Sequence, residues 1–307
     1  MNIVLAGATG YIGRPLIAAL HAASHRLVVL TRRPSETGGL PAGVELAEWD
    51  GRTATGSLAG VLGGAGAVIN LSGANIGAKR WTESRKQELL QSRIEALAAL
   101  TAAIAELPAE RRPGALVSAS GIDYYGDRGD EVVAEESPPG DSFLARLCVS
   151  WEEAARKAEP LGLRVVSIRT AVVIGRGADV VKRLALPFRL FAGGPLGSGD
   201  QWFSWIHLED AVGLYRLAVE NEAAKGPLNA VAPDARRMRD VATELGRTMG
   251  RPSWAPAPAF ALRAALGEQA DLVLHGRRAE PRRALELGFQ FKYPDLPGAL
   301  VQALGGS

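Results

Sequence analysis

A chain of 307 residues, 47% of them hydrophobic and 22% charged, is long enough to bury one large α/β core, alone or with a small appendage. A formal net charge of +2 offers no single-sign field for nucleic acid or a membrane surface, and no apolar run reaches the length of a membrane helix. The lone cysteine, Cys148, excludes an internal disulfide framework and any multi-cysteine metal site, so no metal is expected. Because the first strand begins at the N-terminus itself, no cleaved targeting peptide is expected, and the cytoplasm is the expected compartment.

Residues 3–6 (Ile-Val-Leu-Ala) form a strand pattern that runs straight into Gly7-Ala-Thr9-Gly10-Tyr11-Ile12-Gly13, and a helical pattern follows over about 14–23. In such a turn the first glycine permits the sharp exit from the strand. The second lets backbone approach a pyrophosphate, and the third lets the helix pack closely on the sheet. The helix N-terminus then presents unpaired N–H groups and its dipole to the phosphates.

Further strands are expected over 27–31, 44–49 and 67–71, the last apolar throughout, as suits a strand covered on both faces. A long helix over about 83–106 carries Leu89, Leu90, Ile94 and Leu97 on its buried stripe; its surface could also pair two subunits as a homodimer. Residues 115–118 and 163–169 read as strands five and six, with a helix over 143–158 between them. This alternation predicts a Rossmann-type, doubly wound parallel sheet. Regularity fails after Gly175. The segment 176–206, with Gly193-Gly-Pro-Leu-Gly-Ser-Gly199, predicts a lid or substrate loop, and Trp202, Phe203 and Trp205 beside it either wall a pocket or anchor the lid. A last strand over 228–231 closes a dinucleotide-binding domain of residues 1–232. Residues 233–307 are expected to form a small C-terminal substrate-side domain.

Where NAD-binding chains place a ribose-binding carboxylate after strand two, this chain has Thr31-Arg32-Arg33. Two guanidinium groups and a hydroxyl fit a 2′-phosphate by charge and fork geometry, which predicts NADP(H). Asp50, after strand three, either accepts from the adenine amino group or simply solvates its loop.

The glycine turn, Asn70-Leu71-Ser72-Gly73 after strand four and Ser118-Ala119-Ser120 after strand five resemble the short-chain dehydrogenase/reductases. The G-x-x-G-x-x-G spacing, the segment Ser120-Gly-Ile-Asp-Tyr124-Tyr125-Gly126 and Arg169 through Gly175 are similar to the extended, epimerase/dehydratase-type branch. Lys79-Arg80-Trp81-Thr82, Gln91-Ser92-Arg93, Leu147-Cys148-Val-Ser-Trp151-Glu152, the run from Gly193 to His207 and Gly276-Arg-Arg-Ala-Glu-Pro281 narrow this. Together they resemble an atypical subgroup of epimerase family proteins, some described as sugar-nucleotide epimerases, over essentially the whole chain. The resemblance implies cofactor contacts on the glycine turn (Gly7, Thr9, Gly10, Tyr11, Ile12, Gly13) and on Thr31, Arg32 and Arg33. It further implies contacts at Leu71, Ser72, Gly73, Glu88 and Arg93. Arg93 either meets a phosphate or ribose edge or pairs with Glu88 or Glu95 on the helix surface.

The parent family works with a tyrosine and a lysine four residues apart on the helix after strand five. The tyrosine exchanges a proton with the substrate oxygen, and the lysine lowers its pKa and holds the nicotinamide ribose. Aligned on Glu152, those positions fall on Leu144 and Cys148, which can do neither task. The usual catalytic hydroxyl falls on Gly121, one residue from Ser120. The candidates left for proton transfer are Tyr124, Tyr125 and Ser120; either tyrosine could instead stack or pack in the loop. Asp127, Arg128 and Asp130 are candidates for an unknown small-molecule substrate, or for solvating the loop. His207 is expected to serve as a structural hydrogen-bonder. Two functions follow: an NADP(H)-dependent oxidoreductase or epimerase, or an NADPH-binding sensor or scaffold that has lost the chemistry.

Overall fold

The structure is a computed structural model and describes residues 1–305. Seven strands make one sheet: β1 (Asn2–Ala6), β2 (Arg26–Thr31), β3 (Glu45–Glu48), β4 (Ala67–Asn70), β5 (Ala115–Gly121), β6 (Arg164–Thr170) and β7 (Gly226–Ala230). Their order is β3-β2-β1-β4-β5-β6-β7, and every neighbouring pair is parallel. Parallel neighbours require crossovers, so helices cover both faces.

Strand alternation decides which face each apolar residue serves. Val4, Val68, Leu116 and Val165 point to one face, where they meet α2 (Gly56–Leu62), α3 (Glu83–Ala105) and α4 (Phe143–Arg156). Ile3, Leu5, Ile69, Val117 and Val166 point to the other and meet α1 (Gly13–Ala22) and, after a further helix, α6 (Leu208–Glu220). The sheet runs outward from β1 in one direction to β3 and resumes on β1's other side with β4. At this reversal the connections leave the carboxyl ends of β1 and β4 towards opposite sides, which opens a crevice.

The segment expected as an irregular lid contains a helix, α5 (Asp179–Arg189), whose Val181, Ala185 and Phe188 are buried against α7 (Met238–Met249). Pro187 sits in its last turn, where the helix is about to end. The short helix α2 also goes beyond the sequence reading, and β5 runs three residues further, to Gly121. The C-terminal residues contribute α8 (Ala259–Leu266) and α9 (Leu296–Leu304). Two short strand pairs tie them back: Arg278–Ala279 beside Val132–Val133, and Arg236–Arg237 beside Trp202–Phe203. Among the described residues, no helix is long and apolar enough to cross a membrane.

Candidate functional site

The crevice is a cleft of about 830 Å³ over the ends of β1, β2, β3 and β4. Its floor is the glycine turn. Gly7 has φ +68°, and a Cβ there would lie 2.6 Å from the Ser72 backbone nitrogen, so only glycine lets β1 and β4 end this close together. A Cβ on Gly13 would collide with the Ala8 carbonyl, so the start of α1 packs tightly on the turn itself, where the sequence had suggested a helix–sheet contact. Gly10 faces open space: a Cβ there meets nothing within 4 Å. The N-terminus of α1 has no side-chain cap and no acidic residue in its first turn. Its positive dipole end therefore suits an anion.

Gly7, Thr9, Gly10, Thr31, Arg32, Arg33, Leu71, Ser72, Gly73 and Glu88 all line the cleft. Four other expected residues do not. Gly13 packs beneath the turn, Ile12 is the N-cap of α1, and the Tyr11 hydroxyl donates to the Arg176 carbonyl at 3.3 Å, bridging the turn to the segment after β6. Arg93 lies buried under Gly73, where Nη1 donates to the carbonyls of Leu89 (2.8 Å) and Ala74 (3.2 Å) and the guanidinium stacks 4.6 Å over Trp151. Glu88 pairs with Arg85 at 2.6 Å and Glu95 with Arg52 at 3.4 Å, so neither carboxylate reaches Arg93. Burial without a counter-ion pulls the Arg93 pKa down to about 10.

The two arginines after β2 differ. Arg33 pairs with Glu36 at 2.9 Å. Arg32 has no ion pair or hydrogen bond among the described residues and its side chain lines the cleft. Asp50 accepts from the Arg52 and Thr53 amides at 2.8 and 2.9 Å and from the Thr53 hydroxyl at 2.6 Å. These bonds, led by the hydroxyl's, hold its carboxyl below the usual range and commit it to shaping its own loop. Arg14, Lys79, Arg85 and Ser92 line the cleft without having been singled out as contacts. Arg14 bonds the Thr9 and Gly38 carbonyls, and Ser92 holds the Ala74 amide; for Arg14, a cation one residue into the helix after the glycine turn was the available signal.

At the far end of β5 and β6 the polar groups bind one another. Arg169 meets Glu152 through two contacts, Nε to Oε1 at 2.8 Å and Nη2 to Oε2 at 2.9 Å, both side chains buried. Burial works against the Arg169 charge, and the Glu152 carboxylate overrides it, so the guanidinium stays above its ordinary pKa. Ser120 donates to the same carboxylate at 2.8 Å. The Tyr125 hydroxyl is fully buried, donating to Asn229 Oδ1 and accepting from Arg169, each at 2.8 Å, and desolvation lifts its pKa to about 12. Ser120 and Tyr125 are therefore held behind the strand ends with their hydroxyls spent on this network, which corrects the expectation that they face a substrate. Tyr124 is half-buried, its ring clamped 3.5 Å under the Arg169 guanidinium, and its hydroxyl has no partner among the described residues.

The acidic residues on either side of Tyr124-Tyr125 are stapled to the C-terminal segment. Asp123 pairs with Arg277 (2.6 Å), Asp127 with His275 (2.8 Å) and Asp130 with Arg237 (2.6 Å), and Trp202 also donates to Asp130. Arg277 is buried, and its Nε has no partner among the described residues. Trp205 is wholly buried, donating to the Asp234 carbonyl, so it anchors. His207 caps α6: its Nδ1 accepts from the Glu209 amide, leaving the Nε2 proton for Gln302 Oε1 at 2.8 Å.

Residues 3–231 match the family model described as the NAD dependent epimerase/dehydratase family. The chain belongs to that family. Residues 257–303 match a second model, a domain of unknown function, DUF1731. An Arabidopsis thaliana relative, "Epimerase family protein SDR39U1 homolog, chloroplastic", is 42% identical over 98% of this chain and 86% of its own length. The Bacillus subtilis epimerase family protein YfhF is 36% identical over 99% of this chain and 98% of its own. The crystal structure of human epimerase family protein SDR39U1 (isoform2) with NADPH superposes with a TM-score of 0.85 at 35% identity, over 98% of each chain.

Within this epimerase-family fold, Leu144 and Cys148 stand on α4 where the parent family's tyrosine and lysine are expected, and both are core residues. A Cβ on Gly121 would sit 3.3 Å from Cys148 Sγ, so the thiol fills the space beside the strand end. Burial pushes that thiol up to about 12. Native protein at pH 8 is therefore expected to leave Cys148 unalkylated by iodoacetamide while denatured protein reacts readily. Comparable labelling of both, measured by mass spectrometry, would show an accessible thiolate instead.

Proposed function

We propose that this chain is an NADP(H)-dependent oxidoreductase of the epimerase/dehydratase family in which Tyr124 replaces the missing tyrosine. One observation carries the cofactor reading: among the described residues Arg32 stands unpaired, lining the cleft beside an uncapped helix N-terminus. The residues fit the group. Gly7, Thr9, Gly10 and the first turn of α1 would hold the pyrophosphate, Arg32 with Thr31 and Arg33 the 2′-phosphate, and Leu71, Ser72, Gly73 and Glu88 the wall beside the adenosine. When bound, NADP(H) supplies or accepts a hydride.

The chain's part is to bind, orient and move a proton. Hydride chemistry at a carbonyl carbon needs a proton at its oxygen. The Tyr124 O–H is the hydroxyl at the end of β5 that the buried network leaves free, and Arg169 fixes its ring. Residues 233–307 are the substrate-side domain in this reading, supported by the placement of Arg277 against Asp123. The reading is tested with stereospecifically deuterated NADPH and a panel of carbonyl compounds and nucleotide sugars. Label should pass to one of them and the Tyr124→Phe variant should lose at least 100-fold of that rate, within the range of a general acid. Unchanged transfer in the variant removes Tyr124 from the mechanism.

The second reading, an NADPH sensor or scaffold, is favoured by the conversion of both proton-relay positions to buried Leu144 and Cys148. Tight NADPH binding with no label transfer across the panel would select it.

A further inference from the structure

The chain's near-neutral net charge conceals a local imbalance. Residues 180–199 and 245–267 contain no aspartate or glutamate, and their ionisable side chains are Lys182, Arg183, Arg189, Arg247, Arg251 and Arg263. The two stretches lie side by side. The Trp254 amide donates to the Gly193 carbonyl and the Ala257 amide to that of Pro195, each at 2.9 Å, and the Trp254 indole donates to the Phe191 carbonyl, also at 2.9 Å. Lys182, Arg247 and Arg263 have carboxylate neighbours from outside the stretches. Arg183, Arg189 and Arg251 have none among the described residues.

The outer side of this paired segment is apolar. Leu186 is 54% exposed, Leu190 70%, Phe191 55% and Trp254 68%. Single exposed apolar residues are ordinary, but these fall on the end of α5 with the residue after it and on the segment bonded to them. Helix α5 has its buried side already, in Val181, Ala185 and Phe188, so Leu186 and Leu190 form a second apolar face. Phe191 adopts φ +59°, a region that disfavours a bulky residue, with the Arg251 guanidinium 4.2 Å over its ring. The fold thus keeps a strained, solvent-facing phenylalanine where asparagine or glycine would sit more easily.

We propose that this face docks on an anionic lipid surface, with Leu186, Leu190, Phe191 and Trp254 entering the headgroup layer and Arg183, Arg189 and Arg251 meeting lipid phosphates and carboxylates. Leucine and aromatic side chains flanked by unpaired arginines are the composition that partitions there. A second copy of the chain fits less well. A two-fold contact would bring this arginine-bearing face onto the same face of the other copy, with no carboxylate in either stretch to answer the arginines. Overall charge had argued against a membrane surface, but net charge averages over the molecule whereas docking reads one face.

The test is co-sedimentation of the full chain with vesicles of phosphatidylcholine alone or mixed with phosphatidylserine. Binding is expected to the mixed vesicles only and to weaken with salt. The pair Leu190→Ser with Phe191→Asn, and separately Arg183→Glu with Arg189→Glu, should each lower partitioning by on the order of tenfold or more. Thermal melting and NADPH affinity, measured on the same variants, should show intact folding. No sedimentation with the mixed vesicles, or binding indifferent to both variant pairs, overturns the proposal. So does a concentration-dependent dimer in sedimentation velocity that Leu190→Ser with Phe191→Asn abolishes while vesicles bind nothing, since the face would then join two copies.

Discussion

Alanine at Arg32 is expected to weaken NADPH binding by about 1–3 kcal/mol, roughly fivefold to 150-fold, while leaving NADH binding nearly unchanged. The effect is large because Arg32 has no other partner among the described residues to compensate or compete: its whole guanidinium is available to a phosphate. Arg33→Ala should cost less. That side chain already holds Glu36 in an exposed pair, and part of what it offers a ligand is spent there. Calorimetric titration of both variants with both nucleotides separates these cases. An equal loss for NADPH and NADH at Arg32 would place that side chain on a part of the cofactor common to the two, and the 2′-phosphate assignment would fail.

Glu152→Leu is expected to destabilise the fold by about 3–5 kcal/mol, the usual consequence of stranding a buried charge. Arg169 is only 3% exposed and makes two contacts with the Glu152 carboxylate, which also accepts from Ser120. Without it, a guanidinium remains deep between α4 and β6 with no carboxylate partner among the described residues, held by the Tyr125 hydroxyl, the Glu135 carbonyl and the Tyr124 ring. Replacing both partners, Glu152→Leu with Arg169→Met, should recover part of the loss, because no uncompensated charge is left. Urea unfolding reports the difference as a drop in midpoint at unchanged slope. A loss below about 1 kcal/mol, typical of an exposed pair, would mean that solvent or a neighbour satisfies Arg169 on its own.

The adenosine-side cleft was legible in the sequence because its determinants are local. Gly7 needs its positive φ within a turn of a few residues, and Thr31-Arg32-Arg33 follows directly on the strand that aims it. The far end of β5 and β6 was not legible. Tyr125 looked available because its partners, Asn229 and Arg169, lie far along the chain, and no pattern within the loop reveals that they bury its hydroxyl. Asp127 and Asp130 looked free for the same reason, yet His275 and Arg237 take them. Helix α5 was missed because Pro187 and the following glycines resemble a loop, while its buried side is defined by α7 and not by its own sequence.

Every residue lining the cleft falls between Gly7 and Ser92. During synthesis, then, the ribosome has released the whole lining of this cleft before α4, β6 and β7 exist, whereas Arg277 and His275 emerge near the end. Amino-terminal units generally fold first on the growing chain. The cleft's lining is thus made before β6 and β7 supply the Arg169 and Asn229 that engage the Tyr125 hydroxyl.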